Sequence, residues 1–169
     1  MNTLAKSLPV PVRAAPVLRL DPIWWLGELG ARQPVLAGTG ILIGLAIIPM
    51  SFAALLDPRL LNGIDVWIKP IKFATAILLY MLTLAFFASW ASGRDRRAWW
   101  FNASVRIVAA AAIFEIAYIA FQASLAEASH FNRTDVLHIA LYGMMGVGAT
   151  LMVAFSGLLG ILIQRNRAL

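Results

Sequence analysis

The sequence predicts an all-α integral membrane protein, an antiparallel bundle of four membrane-spanning helices with a short interfacial helix before it. Apolar residues make up 61% of the chain and charged residues only 13%, whereas soluble domains carry about 25% charged residues. The mean hydropathy is +0.80. Four apolar runs each reach the roughly 20 residues that a helix needs to cross a bilayer. Together these observations place the chain in the membrane.

Composition also excludes several classes of function. The chain of 169 residues has no cysteine, so disulfides, thiolate zinc sites, iron–sulfur clusters and cysteine nucleophiles are excluded. The length suits one compact unit. The net charge of +6 comes from basic residues that flank the apolar runs, which indicates contact with lipid headgroups. We therefore expect the lipid bilayer as a partner, and no nucleic acid.

The chain begins with a polar segment and a short amphipathic one. Residues 1–20 alternate basic, proline and small apolar residues, which favours a flexible cytoplasmic arm over a signal peptide. Residues 21–32, DPIWWLGELGAR, predict an interfacial helix with Asp21 as its N-cap and Pro22 in its first turn. Its two tryptophans, Trp24 and Trp25, suit the headgroup layer, where an indole keeps its N–H in water.

Residues 33–164 form the predicted bundle, and residues 165–169 form a cytoplasmic tail. The predicted spans are residues 35–56, 71–91, 107–125 and 136–163. Within the first span, Pro49 predicts a kink, and Gly40 and Gly44 form a small-xxx-small pair that favours close helix packing. Asn62 and Gly63 predict a turn in the loop that follows. The glycines of the fourth span also predict tight packing.

The distribution of positive charge predicts the orientation. Ten of the fourteen lysines and arginines lie in the first 32 residues, at residues 94–106 or at the C-terminus. The two remaining loops contain only four. Since cytoplasmic segments carry the excess of Lys and Arg, both termini are expected in the cytoplasm, with the chain in a bacterial inner membrane.

The third span carries a carboxylate, Glu115, close to its middle. An ionisable group at this depth is costly and seldom lies there without a partner or a function. At 100° per residue, Glu115, Tyr118 and Gln122 share one stripe of the helix, which should face the bundle interior. One interpretation is structural: a protonated Glu115 carboxyl hydrogen-bonded to Tyr80 or Thr83 of the second span. The other is functional, with Glu115 as a buried proton acceptor.

A second group of polar residues gathers at the non-cytoplasmic end. Lys69 and Lys72 open the second span, Gln122 lies near the end of the third, and His130 follows in the loop. Helical geometry brings these positions to similar depth. They predict a pocket for a small polar or anionic ligand, or for a lipid or quinone headgroup.

Two segments, WIKPIKF (67–73) and ASLAEASHFN (123–132), carry a family resemblance. They resemble a group of small multi-pass bacterial membrane proteins that have a Lys-Pro-x-Lys-Phe segment opening one span and a Ser-His-Phe-Asn segment closing another. The resemblance covers roughly residues 60–140 and implies no assigned activity. It does imply that one set of residues belongs together: Lys69, Lys72, Glu115, Gln122, His130 and Asn132.

Four functions remain open at this point, of which a non-enzymatic protein that binds or transports a ligand is the leading one. In a second, His130 and His138 ligate a non-covalent b-type haem. A third is a lipid-directed enzyme with His130 or His138 as base and Glu127 or Asp135 as orienting carboxylate. The fourth is an accessory or scaffold subunit of a larger complex, and homo-oligomers are also open. No metal site is predicted.

Overall fold

The protein is an all-α bundle, described here by a computed structural model over residues 21–130 and 135–167. Its helices are α1 (Pro22–Arg32), α2 (Pro34–Leu56), α3 (Ile68–Ala88), α4 (Gly93–Arg97), α5 (Trp99–Ser124) and α6 (Val136–Arg167). Two short strands, β1 (Leu60–Leu61) and β2 (Ile64–Asp65), form a hairpin between α2 and α3. Helices α2, α3, α5 and α6 are long and apolar enough to cross a membrane. The predicted arm at residues 1–20 lies outside the described residues, as do residues 168–169 of the predicted tail.

The predicted N-cap of α1 is confirmed. One carboxylate oxygen of Asp21 accepts hydrogen bonds from the backbone N–H groups of Ile23 and Trp24, at 2.9 and 3.4 Å. At the other end of α1, the Arg32 guanidinium donates to Ser89 Oγ at 3.1 Å and lies 4.8 Å from the centre of the Phe86 ring. These contacts join α1 to the C-terminal end of α3.

Close packing concentrates between α2 and α3. A Cβ added at Gly40 would lie 3.2 Å from atoms of Met81 and Leu82, and one added at Gly44 would lie 3.3 Å from Leu78. The predicted small-xxx-small contact at Gly40 and Gly44 is therefore confirmed. Helix α5 packs against α2, α3 and α6, which makes it the central helix of the bundle.

The glycines of α6 differ from expectation. Of these, Gly148 packs against the Cβ of Ala111 at 3.3 Å, measured from an ideal Cβ. A Cβ at four others would meet no atom of the described chain within 4 Å: Gly143, Gly146, Gly157 and Gly160. The prediction of tight packing is wrong for these four within the single chain, because α6 lies against α5 and only lightly against α3.

Several helix ends also differ from the predicted spans. Helix α2 coincides with the predicted first span, but α3 begins at Ile68 rather than 71, because Pro70 is tolerated in a first turn whose N–H groups have no intrahelical partner. Helix α5 begins at Trp99, eight residues before the predicted start. Helix α6 continues through Arg167 and so includes most of the predicted tail.

Candidate ligand pocket

A pocket of about 440 Å³ lies where the β hairpin, the start of α3 and the loop after α5 meet. We call it the hairpin pocket, and the end of the bundle that carries it the pocket end. It is lined by Leu61, Asn62, Ile64, Asp65, Val66, Lys69, Pro70, Ile119, Ala123, Glu127, Ala128, Ser129 and His130. Apolar atoms form most of the pocket surface, although six of the thirteen lining residues have polar or charged side chains.

The hairpin forms because Asn62 and Gly63 both adopt positive φ, 53° and 78°. Positive φ at both central residues is the requirement of a type I′ turn, and Asn-Gly is its favoured sequence. Leu60 pairs with Asp65, and Leu61 with Ile64. The predicted turn is thus confirmed, while the two strands beside it were not predicted.

A polar network ties the hairpin to the end of α5. The Arg59 guanidinium donates to the Asp57 carboxylate at 2.7 and 2.8 Å and to the Ser124 carbonyl at 2.9 Å. The Trp67 indole N–H also donates to Asp57, at 2.9 Å. Hydrogen bonds from Arg59 and Trp67 hold the pKa of Asp57 well below its ordinary value. The network fixes the position of the hairpin, whose residues Leu61, Asn62 and Ile64 line the pocket.

The turn after α5 shapes the opposite wall. The Glu127 N–H donates to the Gln122 carbonyl, and the Ala126 N–H to the Ala123 carbonyl, both at 2.9 Å. This is a Schellman motif, in which the residue with left-handed backbone is usually glycine. Here it is Ala126, with φ 57°. Sequence reasoning missed this turn because no glycine marks it.

Gln122 supports this turn rather than lining the pocket. Its side chain is 1% exposed, and its amide nitrogen donates to the Ala128 carbonyl at 3.3 Å. The bond holds the segment that presents Ser129 and His130 to the pocket. The prediction that Gln122 contacts a ligand directly does not fit this geometry, since the amide donor points into the protein's own loop.

Lys69 and His130 are brought together as predicted, in the wall of one pocket. His130 Nδ1 lies 3.1 Å from Ser129 Oγ. Its ring centre lies 5.4 Å from that of Phe73 and 6.0 Å from that of Tyr142. Burial, and then the positive charge of Lys69, lower the pKa of His130 below its ordinary value. The imidazole is therefore neutral near pH 7.

The structure separates Lys72 from this pair. Lys72 is exposed and does not line the hairpin pocket. Lys72 lies one turn further along α3 than Lys69, beyond the part of the helix that the hairpin covers. Asn132, the remaining predicted ligand residue, lies outside the described residues.

Tyr80 and Thr83, the expected partners of Glu115, form hydrogen bonds with other groups. The Tyr80 hydroxyl bonds to the Met152 carbonyl and to Ser156 Oγ of α6. The Thr83 hydroxyl donates to its own helix, at the Leu79 carbonyl. The interpretation of a Glu115 carboxyl hydrogen-bonded to Tyr80 or Thr83 is therefore wrong. Glu115 is buried as expected, 7% exposed, and its Oε2 has no hydrogen-bond partner in the described chain.

His138 lies between two carboxylates at the start of α6. Its Nδ1 is 2.8 Å from Asp135, and its Nε2 is 3.4 Å from Glu127. Asp135 thus contacts His138, as an orienting carboxylate would. Hydrogen bonds from His138 lower the pKa of Asp135. Because both ring nitrogens face carboxylates, neither is directed at a haem iron. This arrangement does not favour haem ligation by His130 and His138 together.

Comparison with protein-family models, with curated proteins and with solved structures gave no match for this chain. The resemblance of residues 67–73 and 123–132 to small multi-pass bacterial membrane proteins therefore stays a prediction. The site must be interpreted from its own chemistry.

Proposed function

We propose that this chain is a multi-pass protein of the bacterial inner membrane that binds a small organic anion in the hairpin pocket. The ligand would carry a carboxylate or phosphate beside an apolar group. The observation that carries this proposal is Lys69, a half-buried cation in the wall of an otherwise largely apolar pocket.

Lys69 lacks a counter-charge of its own. Across residues 21–130 and 135–167, no carboxylate lies within 4.0 Å of its ammonium group. A partly desolvated cation without a partner favours an anionic ligand, because charge-assisted hydrogen bonds are the stronger ones. A ligand anion at this position would supply the missing charge.

The two carboxylates in the pocket wall have partners already. Asp65 accepts a hydrogen bond from the backbone N–H of Trp67 at 2.7 Å. One carboxylate oxygen of Glu127 lies 3.4 Å from His138 Nε2. These contacts engage one oxygen of each carboxylate and leave the Lys69 ammonium without an ion pair in the part of the chain that the structure describes. The apolar part of the ligand would rest against Pro70 and Ile119.

Benzoate binding tests this proposal, because benzoate combines a carboxylate with a compact apolar ring. Wild-type protein in lipid nanodiscs should bind benzoate more tightly than benzyl alcohol, which lacks the charge, and than inorganic phosphate, which lacks the ring. The measurement is isothermal titration calorimetry. Lys69→Gln should weaken benzoate binding by about tenfold or more, the equivalent of about 1.4 kcal/mol or more.

Lys72→Gln is the matched control. It makes the same substitution on the same helix, three residues away, at an exposed side chain outside the pocket. Its benzoate affinity should equal that of the wild type. Equal losses in both variants would mean a general charge effect at the membrane surface, and no loss in Lys69→Gln would refute the site.

The orientation in the membrane is part of the proposal and has its own test. The charge distribution favours the pocket end on the non-cytoplasmic side. Since the chain has no cysteine, single cysteines can report accessibility. In spheroplasts, Ile64→Cys at the exposed hairpin should react with a membrane-impermeant maleimide, while Gln164→Cys near the end of α6 should react only after permeabilisation. The opposite pattern would place the pocket in the cytoplasm.

A further inference from the structure

Two polar atoms in the core of the bundle lack hydrogen-bond partners. Within the described residues, these are Glu115 Oε2 and Tyr118 Oη. The side chains that carry them are 7% and 6% exposed. Buried polar groups in native proteins almost always have a hydrogen-bond partner, so two neighbouring groups without one require an explanation. The hairpin pocket does not include either residue.

Both atoms lie on the same face of α5. Residues three positions apart on a helix are neighbours, separated by one turn. The two atoms have no direct hydrogen bond, and a water molecule that bonded to both would satisfy them. The surroundings are apolar: Tyr118 packs with Ile119 and Met145, and its ring stacks on Phe114 with centres 6.2 Å apart.

No described charge neutralises Glu115. Helix α2 contributes no titratable side chain. From α3, Lys69 and Lys72 lie in the first turns, and Tyr80 is bonded to α6. From α6, His138 and Tyr142 lie in the first two turns, at the pocket end. On α5 itself, Arg106 lies nine residues before Glu115, about 13 Å away along the helix. A carboxylate in this position has only a proton available to cancel its charge.

A series of side-chain contacts leads from Tyr118 to the pocket end. Phe73 packs against the cluster that contains Tyr118, and His130 lies above Phe73 at 5.4 Å between ring centres. Tyr118 lies one turn nearer to this end than Glu115, and the next residue, Ile119, lines the hairpin pocket. The group next to Glu115 on this face is thus linked to the polar groups at the surface of the pocket end.

We propose that Glu115 and Tyr118 form an internal proton-binding site that is loaded from the pocket end of the bundle. A proton from the aqueous phase adds to the Glu115 carboxylate and gives a neutral carboxylic acid, and no other bond forms or breaks. Tyr118 Oη positions this proton through an intervening water molecule. The proton site is separate from the ligand site proposed for the hairpin pocket, and the infrared band of Glu115 tests it whether or not benzoate binds.

Infrared difference spectroscopy tests the proton site. On acidification from about pH 8 to about pH 5, wild-type protein should gain the carbonyl band of a protonated carboxyl in apolar surroundings. Glu115→Gln should lack this band. Glu127→Gln, which changes a half-exposed glutamate, should keep it, and Tyr118→Phe should shift its frequency. Identical spectra for wild type and Glu115→Gln would overturn the proposal.

A second preparation covers the case in which Glu115→Gln does not fold. The chain has three glutamates, so the double variant Glu28→Gln, Glu127→Gln leaves Glu115 as the only one. Labelling it with ¹³C-carboxyl glutamate should lower the frequency of the same acid-induced band. A band that does not move with the label would assign the proton to another group and overturn the proposal.

The direction of loading is tested by blocking one end. Hydrogen–deuterium exchange of the Glu115 band should slow several-fold when Ala128→Cys, in the pocket wall, carries a bulky maleimide. The same adduct on Gln164→Cys, at the other end of the bundle, should leave the rate unchanged. Equal rates in both, or slowing only at Gln164→Cys, would overturn entry from the pocket end.

Discussion

Replacing Gly40 by alanine should destabilise the bundle, and Gly38 supplies a control two residues away on the same helix. A Cβ at Gly40 would lie 3.2 Å from Met81 Cβ and 3.2 Å from a Leu82 methyl carbon, whereas one at Gly38 would meet nothing within 4 Å. Because Met81 Cβ is fixed to its backbone, α3 must move away for the added methyl group to fit.

The expected magnitude combines two opposing effects. Forcing an extra methyl group into a packed contact typically costs about 1–3 kcal/mol. Alanine is favoured over glycine inside a helix by about 0.8–1 kcal/mol, which applies equally to both positions. Gly40→Ala should therefore lower the free energy of unfolding by up to about 2 kcal/mol, and Gly38→Ala should leave it unchanged or raise it. Gly44→Ala should fall between them, because it meets only the flexible end of Leu78 at 3.3 Å.

Titration with SDS, followed by tryptophan fluorescence, measures these differences in mixed micelles. The difference between Gly40→Ala and Gly38→Ala is the informative quantity, since helix propensity cancels in it. If both variants unfold at the same SDS fraction, α2 and α3 do not pack as closely as the structure shows, and the reasoning fails.

Three further predictions concern residues in and around the hairpin pocket. Ala126→Gly should raise the free energy of unfolding by about 0.5–1 kcal/mol in thermal denaturation, because glycine accepts the left-handed backbone that alanine adopts here with strain; a loss of stability would refute the Schellman geometry. Arg59→Met should speed amide hydrogen exchange in the hairpin while changing global stability by about 1 kcal/mol, since Arg59 is about half-exposed in its ion pair with Asp57. Unchanged exchange would mean that Arg59 does not hold the hairpin. The stability of the wild type should fall as the pH drops below about 6.5. The reason is that the pKa of His130 is lower in the folded protein than in the unfolded chain, so the unfolded chain takes up the proton at a higher pH. His130→Gln should flatten this part of the plot of melting temperature against pH, and an unchanged slope would contradict the buried, neutral imidazole.

The sequence was sufficient to predict those features of the fold that depend only on residues close together in the chain. A run of about 20 apolar residues must be helical in a bilayer, because lipid offers no partner for backbone N–H and C=O groups. Asp21 and the Asn62–Gly63 pair act through neighbouring backbone atoms, so their cap and turn could be predicted. The inward stripe of Glu115 and Gln122 follows from helical periodicity, and both side chains are buried.

Which polar residues come together depends on contacts between residues far apart in the sequence. Lys69 and Lys72 have the same chemistry and lie three residues apart, and only the fold of the hairpin over one side of α3 selects Lys69. Tyr80 was assigned to Glu115 by depth, yet it bonds to α6 because α6 crosses its hydroxyl at Met152 and Ser156. Depth along a helix does not specify which neighbour the side chain faces.

The sequence by itself determined the four apolar helices, the short helix before them and the burial of a carboxylate, because hydrophobic periodicity and capping depend on residues close together in the chain. Tertiary structure decided which lysine joins His130, that Gln122 supports a turn, and that Glu115 and Tyr118 are left without partners. Those outcomes depend on how α3, α5 and α6 are rotated about their axes. That rotation is set by packing between residues far apart in the sequence, such as Gly40 against Met81.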